Sequence, residues 1–152
     1  MITSLERDGV EARFVVTDVD WCLVGSCALA VRGIAVAPRD IDVVVAEQDL
    51  ERVVWRLRDH LVEGVCETED WIARWFCRAF LDGRVECVAG IPAWVDTPEP
   101  SDVGPTAWRR RERLAWCGID LAVPPLDLQL AVTQRRGLTE RAALIEESLR
   151  RR

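Results

Sequence analysis

Short apolar runs alternate with helix-spaced stripes along this chain, and the breaks between them fall at glycine and proline. Trp21-Cys22-Leu23-Val24 is an apolar run that ends in Gly25-Ser26, which predicts a buried strand. Ser26 to Arg32 then reads as a short helix, with Ser26 as its N-cap and Gly33 as its stop. Asp40-Ile41-Asp42-Val43-Val44-Val45 is the next strand. Leu50, Val53, Val54, Leu57 and Leu61 form the stripe of an amphipathic helix, with Arg52, Arg56, Arg58 and Asp59 on its wet side and Gly64 as its stop. Arg78 to Leu81, the dipeptide Asp82-Gly83, and Arg84 to Val88 carry the signature of a β-hairpin.

The stretch from Pro92 to Pro105 holds four prolines and is acidic, so it reads as a loop. Leu114 to Val123 reads as a strand pair or a bent strand around Gly118. Pro124-Pro125 opens a helical region with Leu126, Leu130 and Ala131 inward. Gly137 breaks that region, and Thr139 caps a last helix with Ala142, Ile145 and Leu149 on one face. No internal repeat interrupts the order. It predicts one small mixed α/β (α+β) domain over residues 1–152, with a core over about 14–123 and C-terminal helices over about 124–152. The sheet is expected to be mixed and flanked by helices.

Composition narrows the chemistry. The chain has no Lys, which excludes a Schiff-base nucleophile and a Gly-Lys-Ser/Thr phosphate loop. Its single His, His60, cannot build a multi-His zinc site and lies late in a helical pattern, so Asp and Glu remain to carry the chemistry. The six cysteines form no C-x-x-C pair and mostly sit in apolar segments, which points to packed free thiols in a reducing compartment. Met1 to Glu11 has no apolar core of a signal peptide, and no apolar run approaches a membrane span, so a cytoplasmic protein is expected. A net charge of −6 disfavours broad binding of nucleic acid, although the arginine cluster Arg109-Arg110-Arg111 leaves a local basic stripe open. The seven Trp residues are expected to serve packing, Trp55 and Trp116 included.

The chemistry concentrates at Asp40 and Asp42. Two residues apart on a strand, their side chains leave the same face about 6–7 Å apart at Cα. Two carboxylates at the end of an apolar strand repel each other, and a hard dication such as Mg²⁺ offsets that repulsion through oxygen ligands. The strand-to-helix turn at Gly25-Ser26 offers backbone N–H groups and a hydroxyl to a phosphate. Glu86 is a third acid, flanked by Val85 and Cys87. Such a carboxylate needs a partner: a cation, or an arginine such as Arg84 or Arg78. Arg39, beside Asp40, fits a phosphate contact and a surface ion pair equally well.

At these residues the chain resembles the DNA-polymerase-β-like nucleotidyltransferase superfamily, and within it the minimal nucleotidyltransferases. The resemblance rests on Val24-Gly25-Ser26, a spacer of thirteen residues, and Asp40-Ile41-Asp42-Val43, with Arg84-Val85-Glu86-Cys87-Val88 matching the later strand of the third carboxylate. Asp82 is the alternative third acid, but its place in an Asp-Gly turn explains it without function. Pro125-Leu126-Asp127-Leu128 and Arg136-Gly137-Leu138 are also similar to members of this group, whereas the Lys-Asp pair often found in their last helix is absent. The resemblance implies a nucleoside triphosphate, ATP by preference, held by Gly25 and Ser26. It further implies Mg²⁺ or Mn²⁺ on Asp40, Asp42 and Glu86, with Glu86 readying an acceptor hydroxyl on a small molecule, protein or RNA. Antibiotic modification and toxin–antitoxin pairs are the settings it suggests. The chain leaves no room for a separate substrate domain, so a second copy or a partner protein would complete the acceptor site. A catalytically silent relative that binds a nucleotide or partner is the alternative, and a metal-dependent phosphoesterase is disfavoured by the lack of His ligands.

Overall fold

Alternation within Asp40–Val45 decides which face of the sheet meets the core. Ile41, Val43 and Val45 are buried together with Trp21 and Leu23 of the preceding strand and Val85 and Cys87 of a later one. Asp40 and Asp42 therefore face the other way, as period-two geometry requires. In this computed structural model the described residues are 2–7, 10–15 and 18–152, the first two stretches in their backbone alone. The expected core start near residue 14 and most of the Met1 to Glu11 segment thus fall where no side chain is described.

A two-stranded hairpin, β1 (Ile2–Arg7) and β2 (Val10–Val15), comes first. The main sheet holds β3 (Trp21–Val24), β4 (Asp40–Val45), β5 (Leu61–Glu67), β6 (Trp75–Phe80) and β7 (Arg84–Ala89), in the spatial order β3-β4-β7-β6-β5. Only β4 and β7 are parallel; the other neighbours are antiparallel. α1 (Gly25–Ala30) and α2 (Leu50–Leu57) deliver Cys27, Ala28, Val53 and Leu57 to the apolar face. A hairpin of β8 (Glu112–Trp116) and β9 (Ile119–Val123) adds Trp116, Leu121 and Val123 to the same cluster. On the opposite face, Ile91, Val103 and Trp108 cover Cys22, Val24 and Val44, Trp108 coming from α3 (Pro105–Arg110). The charged end of that face, with Asp40, Asp42 and Glu86, is only half-buried.

The C-terminal helices are α4 (Leu126–Arg135) and α5 (Thr139–Arg150). Leu126 and Ile145 pack against Leu29 and Ile34 at the far end of α1, so both helices brace the β3–α1–β4 unit. The expected mixed α/β architecture is present, and so is the Asp82-Gly83 hairpin, where Leu81 N–H donates to Gly83 O and Asp82 takes φ 59°. Gly33 and Gly137 end their helices at φ 82° and 68°, values few L-residues adopt.

Several local expectations need correction. Ser26 lies inside α1, whose N-cap is the extended Val24, because the strand runs directly into the helix. α2 ends at Leu57, and Leu61 begins β5 after a 3₁₀ turn (Arg58–His60) that holds the exposed His60. Leu61 fits the helical stripe because helix and strand deliver side chains to one core. Gly64 stops no helix; it lies within a register shift of the edge strand β5, between Glu63 and Cys66, where an irregular ladder tolerates it. Leu138, not Thr139, is the N-cap of α5. In α4 the buried residues are Leu126, Leu128, Gln129 and Thr133, with Leu130 and Ala131 half-buried. Trp116 is core, but Trp55 is 64 % exposed beneath the Arg58 guanidinium. Four cysteines are buried free thiols, whereas Cys66 and Cys117 are exposed.

The docking of α5 has a direct test. Ile145 is fully buried between α1 and α4. Ile145→Ala is expected to lower unfolding free energy by about 2–5 kcal/mol in urea titration, against a much smaller loss for Leu149→Ala. Equal effects would show that α5 does not dock through Ile145.

Candidate active site

Three carboxylates meet on the half-buried end of the open face. Asp42 of β4 lies directly opposite Glu86 of β7 in the parallel ladder, and Asp40 lies opposite Arg84. Asp40, Asp42 and Glu86 each offer an oxygen, and these oxygens all lie within 4.8 Å of one another. The parallel pairing is the local cause: a register slip of one residue would turn Glu86 into the core.

That separation carries a cost, because two unit charges 4 Å apart repel by about 4 kcal/mol at an effective dielectric near 20. The structure offsets it in two ways. Burial, then Glu86 and Asp40, push the Asp42 carboxyl up to about 6, with Arg84 opposing and a hydrogen bond to Glu86 adding to the rise. Arginines neutralise the others: Arg84 Nη2 lies 2.6 Å from Asp40 Oδ2, and Arg78 Nη2 lies 2.9 Å from Glu86 Oε1. The same field reaches Cys27, whose thiol is pushed up to about 12 by burial and by Asp42 and Asp40.

The turn after β3 meets this cluster. Val24 pairs with Asp42, so Gly25 is the next residue along, at φ 67°. A Cβ on Gly25 would stand 3.1 Å from Asp42 Oδ2, so both the backbone angle and the close approach demand glycine. Gln129 of α4 reaches across and donates from Nε2 to Gly25 O at 3.1 Å. As a whole residue it is only 2 % exposed. Cys27 Sγ donates to Asp40 O at 3.2 Å, which ties α1 to the start of β4.

The sequence-derived residues thus separate into two groups. Asp40, Asp42 and Glu86 converge, and Gly25 abuts Asp42 with half-buried Ser26 beside it. Arg39 is exposed and appears in none of the ion pairs of the cluster; Arg84 supplies the guanidinium at Asp40. Asp82 is exposed in its turn and outside the cluster. The sequence reasoning missed Gln129, whose available signal was a glutamine among the apolar Leu126, Leu128 and Leu130 of one helical segment.

The donor set fits a hard divalent cation. All three ligands are carboxylates, the choice of Mg²⁺ and Mn²⁺. Asp40 Oδ1 is buried and accepts no hydrogen bond, an arrangement that costs about 1–3 kcal/mol unless another partner satisfies it.

No protein-family model and no curated protein sequence matches the chain. Solved structures do. The Thermotoga maritima protein TM1012, named a "putative nucleotidyltransferase", superposes with a TM-score of 0.64 at 19 % identity, over 90 % of this chain and 85 % of that one. ANT(2″)-Ia in complex with adenylyl-2″-tobramycin superposes with a TM-score of 0.53 at 16 % identity, over 86 % of this chain and 80 % of that one. The solution structure of the antibiotic-resistance factor ANT(2″)-Ia gives the same score and identity, over 75 % of its own chain. The chain shares the fold of these proteins.

Proposed function

We propose that this protein is a metal-dependent nucleotidyltransferase that moves a nucleoside monophosphate from a triphosphate, ATP by preference, to a hydroxyl of its acceptor. The convergence of Asp40, Asp42 and Glu86 beside the Gly25 turn carries the reading. The fold supports it, and ANT(2″)-Ia, whose structure holds an adenylylated antibiotic, shares that fold. A small molecule such as an antibiotic, a protein or an RNA would serve as acceptor, within a resistance or toxin–antitoxin setting, and a second copy or partner would complete its site. No helix among the described residues is long and apolar enough to cross a membrane. The buried free thiols and the need for a triphosphate fit a reducing cytoplasm.

In this reading Asp40, Asp42 and Glu86 hold Mg²⁺ or Mn²⁺. When bound, the cation supplies charge neutralisation for the triphosphate and its leaving group. Gly25 lets the backbone approach the phosphates, and Ser26 offers its N–H and hydroxyl. Glu86 accepts the proton of the acceptor hydroxyl at a carboxylate oxygen. The acceptor oxygen bonds to the α-phosphorus as the α–β bridging bond breaks, and pyrophosphate leaves with that electron pair. Arg78, paired with Glu86, holds its carboxylate in place.

One observation favours a second reading, a silent relative that binds without transferring. Arg84 and Arg78 already neutralise two of the three acids, as structural ion pairs would. Glu86→Gln separates the two. The enzyme reading expects triphosphate affinity, carried mainly by Asp40 and Asp42, to change little while transfer falls by about 10²–10⁴-fold. The silent reading expects a lower melting temperature and no transfer in the wild type either.

Metal binding gives the primary test. Mg²⁺ or Mn²⁺ with ATP at 100 times its dissociation constant is expected to add about 2.7 kcal/mol of stability, and Asp42→Asn to lose most of that gain while still folding. An equal gain in the variant would remove the metal assignment. The pH dependence follows from Asp42. Its carboxyl is raised to about 6 in the folded protein against about 3.8 unfolded, so protonation favours the folded state. That contribution is complete below about pH 4 and is lost as pH rises through about 6. Metal-free protein should therefore lose stability across this window, metal affinity should rise across it, and Asp42→Asn should flatten both curves. For the phosphates, Gly25→Val is expected to abolish ATP binding, while Ser26→Ala costs about 1 kcal/mol or less. Undiminished ATP affinity in Gly25→Val, measured by titration calorimetry, would make the turn structural only.

A further inference from the structure

The two arginines of the cluster are held differently. Arg78 is boxed in: it reaches Glu86 at 2.9 Å, also pairs with Glu63 of β5, and lies over the Phe76 ring at 5.3 Å. Its side chain is 29 % exposed. Arg84 is the first residue of β7, just past the hairpin turn, and its side chain is 47 % exposed. It makes one close ion pair, to Asp40 at 2.6 Å, and a long one to Glu86 at 3.7 Å. Among the described residues no ring lies against it, and the third carboxylate, Asp42, acts on it through its charge alone.

We propose that Arg84 is a transferable counter-ion, paired with Asp40 while no cation is bound and moved onto the triphosphate when a metal ion takes that carboxylate. The proposal rests on the nucleotidyltransferase reading and adds to it an order of binding. A metal ion on the unpartnered Asp40 Oδ1 would stand beside the guanidinium held on Oδ2 at 2.6 Å, and two cations on one carboxylate repel each other. Free metal would therefore bind against the charge of Arg84 and gains nothing from it. A metal–triphosphate complex brings its own anion for the displaced guanidinium, which is suited to bidentate pairing with phosphate. Adjacent strands stand about 4.8 Å apart, so Arg84 on β7 stays beside anything seated on Asp40, Asp42 and Glu86. Since the chain has no Lys, an arginine must meet the phosphates if any side-chain cation does. The site would favour the metal as its triphosphate complex over the metal alone.

The test compares wild type, Arg84→Gln and Arg84→Lys with two probes, Mn²⁺ alone and Mg²⁺ with α,β-methylene-ATP, by titration calorimetry. Arg84→Gln is expected to bind Mn²⁺ alone about tenfold more tightly and the analogue complex about tenfold more weakly. Arg84→Lys keeps the charge but loses the bidentate fork, so it should lie near wild type for Mn²⁺ and between wild type and Arg84→Gln for the analogue complex. A merely structural arginine would shift melting temperature without moving the two affinities in opposite directions. Affinities that move together, or not at all, in Arg84→Gln would overturn the proposal while leaving the metal site itself intact. A wild type that binds neither probe would remove the underlying reading, and this proposal with it.

Discussion

Three carboxylate oxygens within 4.8 Å of one another, on a sheet face that turns apolar within two residues, set the terms for everything around them. Mutual repulsion at that distance is worth several kcal/mol per pair at protein-like dielectric. Each neighbouring feature answers it. Asp42 rises to about 6 through burial and its acidic neighbours, Arg84 and Arg78 bring positive charge, and one oxygen of Asp40 stays buried without a partner. A protein selected for stability alone would place apolar or neutral residues here. Retaining the acids in this geometry is the physical argument for a ligand that supplies positive charge.

The order of strands gives the cluster two sides. β3 and its Gly25 turn flank β4 on one side, and β7, β6 and the exposed edge strand β5 continue on the other. In the proposed reaction the triphosphate sits toward Gly25, and Glu86 faces the acceptor from β7. Phe80, 58 % exposed and opposite Arg84 in the β6–β7 ladder, lies on that acceptor side. Rigidity comes from behind. α4 holds the Gly25 carbonyl through Gln129, and α5 anchors α4 and α1 through Ile145. Sequence-distant helices therefore fix the glycine turn against Asp42.

Much of this was legible in the sequence because it was local. Strand β4 and the Asp82-Gly83 hairpin each follow from periodicity or turn chemistry within a few residues. The convergence of Glu86 with Asp40 and Asp42 needed the parallel pairing of β4 with β7, which the family resemblance implied and no local pattern states. Edge strand β5 escaped notice because Leu61 continues a helical stripe and the strand is exposed, so it lacks the alternation of a half-buried strand. α3 was hidden in a proline-rich stretch, where Pro105 starts a helix at its first turn instead of breaking one. Gln129 and the differing grips on Arg78 and Arg84 depend on tertiary neighbours, and residue type alone does not reveal them.

The products of the reaction distinguish nucleotidyl transfer from every other use of these carboxylates. Purified protein would be incubated with each nucleoside triphosphate, Mg²⁺ and a cell extract, and the released phosphate species and acceptor masses measured. Pyrophosphate is expected, together with an acceptor heavier by one nucleoside monophosphate, with both signals lost in Asp42→Asn. Release of orthophosphate with no nucleotidylated acceptor, or equal turnover in Asp42→Asn, would contradict nucleotidyl transfer at these carboxylates.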